Sequence, residues 1–546
     1  DPYRALSLVF EKAFTLPVFA GRFQARRTKV YPEMFNHLGW CSWEQYRLNI
    51  TSNSLVKAAK EIKASGLPVR FFLVDDGHQV NRKKNRKLAS FDPDPKTFPK
   101  GWGPLLDERD PKTLKWMGLW HAFHGNWEGL DLKNDFSPEV KQALSTFGTE
   151  KTKEKEKAKG KGKEKKKGKG KKKELGKTLL PGETDAASAT FYNAFLGAVE
   201  KQGFDFVKID VQTVTIGLYA GSKNPVASSI RNQKSLNAAC VTNGLALLNC
   251  MSSGPQNTFY TGSSAVSRCS IDYKLNNKKM AADHIWQSFF AATWQAQSVW
   301  LDHDMFHSND PICGQLMAIS KALSAGPVYL SDPPKEFRPK LILPLCDREG
   351  KLLRPLAPGT PMRDSIFLNP IKEAKAYRVI APLSNGVASI CCYNLCLKKD
   401  TALNATISAA DYAEASALIQ PYPGPWKQPA GGLVYFDWHT QKGAPLTKDY
   451  TFTLGQIKDR LVHVLPVRSG WAVVGRVDKY LSPAAVETIT ATDTQLTFAL
   501  CEAGPVVIYS ATGAPKSQGL AWTAIGGGFY RAEVPVGKKT TLIVTR

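Results

Sequence analysis

Short apolar runs alternate with longer stretches of helical period between Phe35 and Asp332. Such runs, bounded by polar residues or glycine, read as strands buried on both faces, and the i, i+3, i+4 patterns between them read as helices. Strands are expected near 36–41, 70–75, 115–121, 205–210, 244–250, 265–270, 298–302 and 327–331. Helices fit between them, for example over 54–65 and over 188–202, where Phe191, Phe195, Leu196 and Val199 fall on one face. Eight strands alternating with helices predict an α/β fold, a (β/α)8 TIM barrel. Beyond about 340 the rhythm changes to runs such as 387–393, 461–467, 504–509 and 541–544, separated by Gly, Pro and Asp turns. That is the pattern of a C-terminal antiparallel β-sandwich domain. The expected division is a lead-in helix or linker over 1–34, the barrel over 35–339 and the β domain over 340–546.

Composition changes this picture in three places. The net charge of +25 points to a polyanion partner until it is located along the chain. Residues 151–177 hold 15 Lys against four Glu, close to half of the excess, with no aromatic or β-branched residue beyond Thr152 to pack. Such a tract cannot offset its ordering entropy by burial, so 150–178 reads as a disordered insertion in the loop after the third strand. No nucleic-acid-binding motif surrounds it, and a nucleic-acid partner is not indicated. The ten cysteines show no CxxC pair and lie mostly in apolar runs, which favours reduced thiols and a cytoplasmic address. No run of 18 apolar residues occurs, so no membrane partner is expected. The chain opens at Asp1 with neither an initiator Met nor a signal-peptide pattern, which reads as a trimmed start.

Chemistry concentrates where the expected strands end. The fourth ends Phe206-Val207-Lys208-Ile209-Asp210, and the sixth runs through Arg268 to Asp272. Two carboxylates at the carboxyl ends of different barrel strands are what a glycosidase needs, a nucleophile facing an acid/base across a sugar. Other strands deliver Trp40 and Trp43, Asp75 and Asp76, Trp120 and His121, Cys250, and Asp302 with Asp304. Each has a structural alternative. Asp75 and Asp76 could cap a turn, Asp210 could pair with Lys208, and Asp272 could pair with Arg268. His303 and His307 have the i, i+4 spacing of a metal pair, but no further His or Cys completes a site, so no metal is expected. No Gly-rich phosphate loop precedes a helix, so no cofactor is expected.

The order of Gly39-Trp40-Cys41-Ser42-Trp43, Val74-Asp75-Asp76-Gly77, Trp120-His121-Ala122, Lys208-Ile209-Asp210-Val211-Gln212, Asp304-Met305-Phe306-His307-Ser308 and Tyr329-Leu330-Ser331-Asp332 resembles the raffinose synthase and alkaline α-galactosidase group of glycoside hydrolase family 36. The resemblance spans roughly 30–400. It implies a retaining mechanism on terminal α-galactosyl groups, with Asp210 as nucleophile and Asp272 as acid/base. It also implies that Asp75 and Asp76 hold galactose hydroxyls, that Lys208 and Arg268 are substrate-holding cations, and that Trp40 lines the sugar pocket. The implied partner is an oligosaccharide with an α-galactosyl end. Hydrolysis is the first reading; transfer of galactose from galactinol to sucrose, as in raffinose synthase, and non-catalytic binding of a sugar or polyanion are the alternatives.

The chain departs from that pattern at His78, at Ile271 before Asp272, in Leu301-Asp302-His303-Asp304, and in Cys250-Met251-Ser252-Ser253-Gly254. Nucleophile and acid/base are retained. The changed positions fall on the expected acceptor side, which puts specificity for raffinose or sucrose in question.

Overall fold

The computed structural model describes residues 1–80, 86–149, 176–536 and 540–546. The Lys-rich stretch expected to be disordered lies outside the described residues for almost all of its length.

The barrel forms where the apolar runs fall. Its first three strands are β1 (Leu38–Cys41), β2 (Phe71–Val74) and β3 (Trp116–Ala122). A hairpin that the periodicity does not reveal follows, β4 (Leu144–Thr149) paired antiparallel with β5 (Gly176–Pro181). The barrel resumes with β6 (Phe206–Asp210), β7 (Ala246–Asn249), β8 (Val266–Arg268), β9 (Trp300–Asp302) and β10 (Val328–Leu330). These eight parallel strands run in the order β10-β1-β2-β3-β6-β7-β8-β9. The seam between β9 and β10 is bridged just past β9, where Phe306 N–H donates to Tyr329 O (2.8 Å) and Ser331 N–H to Phe306 O (3.0 Å).

Side-chain alternation sorts the two faces of each strand. Leu38, Trp40, Phe72, Val74, Leu119 and Ile209 turn outward into the helix layer and share one core with Phe191, Phe195 and Leu196. Phe71, Leu73, Phe206, Leu248 and Tyr329 turn inward. The interior is filled by pairing glycine with aromatic rings. A Cβ on Gly39 would lie 2.1 Å from the Phe71 ring, and one on Gly118 2.1 Å from the Phe206 ring. A barrel whose lower layers are packed solid leaves function to its carboxyl end.

The helices carry the signals that their sequences contain. Helix Ser52–Ala64 starts at a reciprocal capping box between Thr51 and Ser54, and Asp185–Lys201 starts at Thr184, whose hydroxyl accepts from Ala187 N–H (3.1 Å). After the barrel, a six-stranded antiparallel sheet centres on Val387–Tyr393, flanked by Tyr377–Leu383 and Asp459–Pro466. A four-stranded sheet and a three-stranded sheet then share a core around Trp471, Phe498 and Val506. All ten cysteines are free thiols, nine of them buried. Among the described residues no helix is long and apolar enough to cross a membrane.

Candidate active site

The inward positions at the carboxyl ends of β2, β3, β6, β7, β8 and β9 bring Asp75, Trp120, Lys208, Asp210, Cys250, Arg268, Asp302 and Asp304 together. Lys208 and Asp210 are two apart on β6 and therefore share its inner face. The cation does not serve Asp210, however. Lys208 Nζ lies 3.0 Å from Asp75 Oδ2, both side chains being almost fully buried. This rules out the structural alternative in which Asp210 merely pairs with Lys208, because the neighbouring strands set the partner. Burial opposes the ammonium's charge, but Asp75 together with Tyr329, Cys41 and Cys250 outweighs it and holds Lys208 well above its ordinary range.

Asp210 is held by two donors instead. Trp120 Nε1–H reaches Oδ2 at 3.1 Å and Val211 N–H reaches Oδ1 at 2.7 Å. Val211 has φ +63°, a conformation that a β-branched side chain resists. Arg47, Met251 and Asp304, near the ends of β1, β7 and β9, also have positive φ (50°, 44° and 67°). Backbone strain of this kind, of order 1–3 kcal/mol each, collects where side chains must be aimed for function.

Two strands along the sheet from β6, at the end of β8, Arg268 bridges two carboxylates. Its Nη1 lies 2.8 Å from Asp304 Oδ1 and its Nη2 lies 2.9 Å from Asp272 Oδ1. Asp304 is fully buried while the Asp272 side chain is 58% exposed, so the first is a fixed anchor and the second faces the opening. Burial raises the cost of charging Asp304, but Arg268 and Lys208 win and hold its carboxyl below the usual range. Asp302 goes the other way. Burial pushes it up against Arg268, with Tyr329 O–H donating to it at 2.9 Å. Cys250 stays a thiol, pushed well above its ordinary range by burial and by Asp210, with Sγ 3.7 Å from Arg268 Nη1. Asp76 is pushed up to about 6 by burial and by Asp75 beside it.

Two residues expected at the site turn away from it. Trp40 is on the outer face of β1, packed on Phe72 at 4.6 Å between ring centroids, with Nε1–H donating to Asp332 O (2.9 Å). The inner face belongs to Gly39 and Cys41, so Trp40 does not line a pocket. His121 is outward for the same reason. It packs on Phe195 of the helix layer (4.7 Å) and accepts from Gln79 Nε2 (2.6 Å), while Trp120 takes the inner position. Trp43 is half-buried just past β1, with the Arg47 guanidinium 5.1 Å above its ring. His303 and His307 lie in a non-helical segment and pack separately, His303 edge-on against Phe289 and His307 against Tyr273, so their spacing does not make a pair.

The sequence gives little warning of Glu44. Its side chain is 8% exposed, paired with Arg47, and its Oε1 is buried without a hydrogen-bond partner among the described residues. Burial pushes its carboxyl up, Arg47 opposes, and Asp304 and Asp272 add to the rise; its backbone N–H donates to Ser331 Oγ (2.9 Å) just past β10, at the carboxyl end of the barrel. Its one sequence signal is its position directly after Trp43.

A parallel barrel with paired acids and cations converging at its carboxyl end is the architecture of retaining and inverting glycosidases. The family model for "raffinose synthase or seed imbibition protein Sip1" matches residues 1–94 and 105–397, and the chain belongs to that family. It is 26% identical over 404 residues to probable galactinol–sucrose galactosyltransferase 1 of Arabidopsis thaliana, covering 68% of this chain and 52% of that one. It is 23% identical over 424 residues to galactinol–sucrose galactosyltransferase of Pisum sativum, covering 69% and 50%. The chain thus spans about half the length of these curated relatives. The solved α-galactosidase I of Mortierella vinacea superposes with a TM-score of 0.51 at 15% identity, over 79% of this chain and 96% of that one. The Saccharomyces cerevisiae α-galactosidase with raffinose gives 0.51 at 11% identity, over 80% and 100%. Those neighbours share the fold, a TIM barrel followed by a β domain.

Proposed function

We infer that the chain transfers α-galactosyl groups by double displacement, with Asp210 as nucleophile and Asp272 as acid/base. The observation that carries the reading is the division of labour at the barrel mouth. Asp210 is oriented by Trp120 and by the Val211 N–H, while Asp272 stands exposed on Arg268 two strands further along the barrel sheet. Attack by Asp210 on the anomeric carbon would expel the leaving alcohol, protonated by Asp272; Asp272 would then take the proton of the incoming hydroxyl. The buried Asp75–Lys208 pair and Asp76 offer acceptors and a donor for galactose hydroxyls.

Transfer to an acceptor sugar is favoured over hydrolysis because the curated relatives are galactinol–sucrose galactosyltransferases. Hydrolysis is the second reading, supported by the fold shared with the α-galactosidases. The test is turnover of p-nitrophenyl α-galactoside by the wild type and by Asp210→Ala supplied with azide. A β-galactosyl azide from the variant supports a retaining enzyme with Asp210 as nucleophile. No turnover of this or of any natural α-galactoside would sink the reading. Supplying galactinol with sucrose then separates the two outcomes: a new trisaccharide means transfer, free galactose means hydrolysis.

A further inference from the structure

The helix between β6 and β7, Pro225–Thr242, packs with its pattern partly reversed. Besides Leu236, Ala239 and Cys240 it buries Ser228, Ser229, Asn232, Gln233 and Ser235. Asn232 is bonded to Ser188 and Tyr219, and Gln233 Nε2 donates to Gln212 Oε1 (2.5 Å). The outer face keeps Ala227, Ile230, Ala238 and Val241 at helical spacing, with Val241 68% exposed. Single exposed apolar residues are ordinary, but these four line one cavity, and an apolar stripe in a concave surface marks a contact.

The cavity measures about 620 Å³, the size of a small-molecule site. Residues 21–24 and the turn over 260–263 supply more of its lining, joined where Gly262 N–H donates to Arg22 O (2.8 Å). None of the side chains gathered at the barrel mouth lines it. Its charge is unbalanced. Arg22, Arg231 and Lys234 are set against one carboxylate, Asp185, and the other polar groups of the lining are neutral. Asp185 takes Arg231 Nε at 3.3 Å and Lys234 Nζ at 3.8 Å. The Arg231 side chain is only 19% exposed, yet its two Nη groups have no partner among the described residues. A guanidinium held at Nε with its remaining donors free can take a carboxylate or a phosphate.

We propose that this cavity binds an amphipathic oxyanion, a carboxylate or phosphate ester with an apolar body. Its head would sit on the Arg231 guanidinium and its body along Ala227, Ile230, Ala238 and Val241. The site is separate from the galactosyl chemistry and stands whether or not that chemistry is as inferred above.

The test is equilibrium dialysis of the whole chain against octanoate, octyl phosphate and octylammonium. Saturable one-to-one binding of at least one anion is expected, roughly tenfold or more tighter than the cation, and the tighter anion identifies the head group. Arg231→Gln should weaken it about tenfold or more, the loss of hydrogen bonds to a charged group. Val241→Asp sets a carboxylate in the path of the apolar body at an exposed position, and should weaken it by a similar factor. Anions held elsewhere on so basic a chain would be indifferent to this one aliphatic residue. Anion binding that does not saturate, that is no tighter than that of octylammonium, or that stays within about threefold of wild type in Val241→Asp overturns the proposal. Wild-type affinity in a folded Arg231→Gln overturns it too. Should Arg231→Gln not fold, Val241→Asp decides.

Discussion

The Nδ1 of His284 lies 2.8 Å from the carbonyl oxygen of Ile271, the residue before Asp272. Its other nitrogen is 3.2 Å from Lys321 Nζ, and the same ammonium donates to the carbonyl of His303, between Asp302 and Asp304. Burial, with Lys321 and Arg268 nearby, holds His284 well below its ordinary pKa, so the neutral ring has one N–H for the two carbonyls it faces, Ile271 at Nδ1 and His303 at Nε2 (2.9 Å). One imidazole thereby ties the segment carrying the exposed acid to the segment carrying the buried ones. His284→Ala is expected to lower kcat on an α-galactoside about 10- to 100-fold, the size of a small misplacement of a catalytic group. It should also cost about 1–3 kcal/mol in unfolding experiments, from the unsatisfied carbonyl. Wild-type kcat in a folded variant would show that Asp272 is positioned by other means.

Trp120 gives a sharper test of Asp210, because a single hydrogen bond can be removed. Trp120→Phe keeps a ring on the inner face of β3 and removes the Nε1–H that reaches Oδ2 at 3.1 Å. Hydrogen bonds to charged groups contribute roughly 1.5–3 kcal/mol, so a fall of about 10-fold or more in kcat/KM is expected. Steady-state kinetics on the aryl galactoside measures it, and an unchanged kcat/KM would mean that the indole does not orient the nucleophile.

Much of this is legible in the residues, and each error has a physical origin. The eight barrel strands and their order follow from apolar runs that end in polar groups, and the acids at those ends are where the chemistry gathers. Trp40 and His121 suggest themselves for the site because they adjoin its motifs, yet the two-residue period that puts Lys208 and Asp210 on one face puts Trp40 and His121 on the other. The partner of Lys208 is beyond reach for a different reason. Asp75 is 133 positions away, and only the register of neighbouring strands decides that it, not Asp210, receives the ammonium. The β4–β5 hairpin is hidden because it flanks a tract with no apolar period.

Asp76 predicts a pH dependence of known sign. Its carboxyl titrates at about 6 in the folded chain against 3.8 for an ordinary aspartate, because burial and Asp75 penalise the charge. The folded state therefore binds more protons than the unfolded one between about pH 4 and pH 6, and this site's contribution to stability is lost as pH rises through that window. The shift is worth roughly 3 kcal/mol. Asp76→Asn, which cannot ionise, should gain on the wild type by about that amount from pH 4 to pH 6 and no further above it. Chemical unfolding of both proteins across the range is the measurement; a constant difference would mean that Asp76 is no more penalised in the fold than in water.

Gly39 tests the packing that raises the site above the barrel floor. A methyl group there would meet the Phe71 ring at 2.1 Å, and the ring is fully buried against Phe35 and Phe206 with no room to withdraw. Gly39→Ala is expected to destabilise the chain by about 1–3 kcal/mol or more, the usual cost of overpacking. Phe71→Leu alone should also destabilise, by opening a void. Combined, the two changes should cost less than the sum of the singles, because the smaller side chain makes space for the added methyl. Denaturant titration of the four proteins measures the coupling; strict additivity would mean that the glycine is required for another reason, such as its own backbone, and not by the ring beside it.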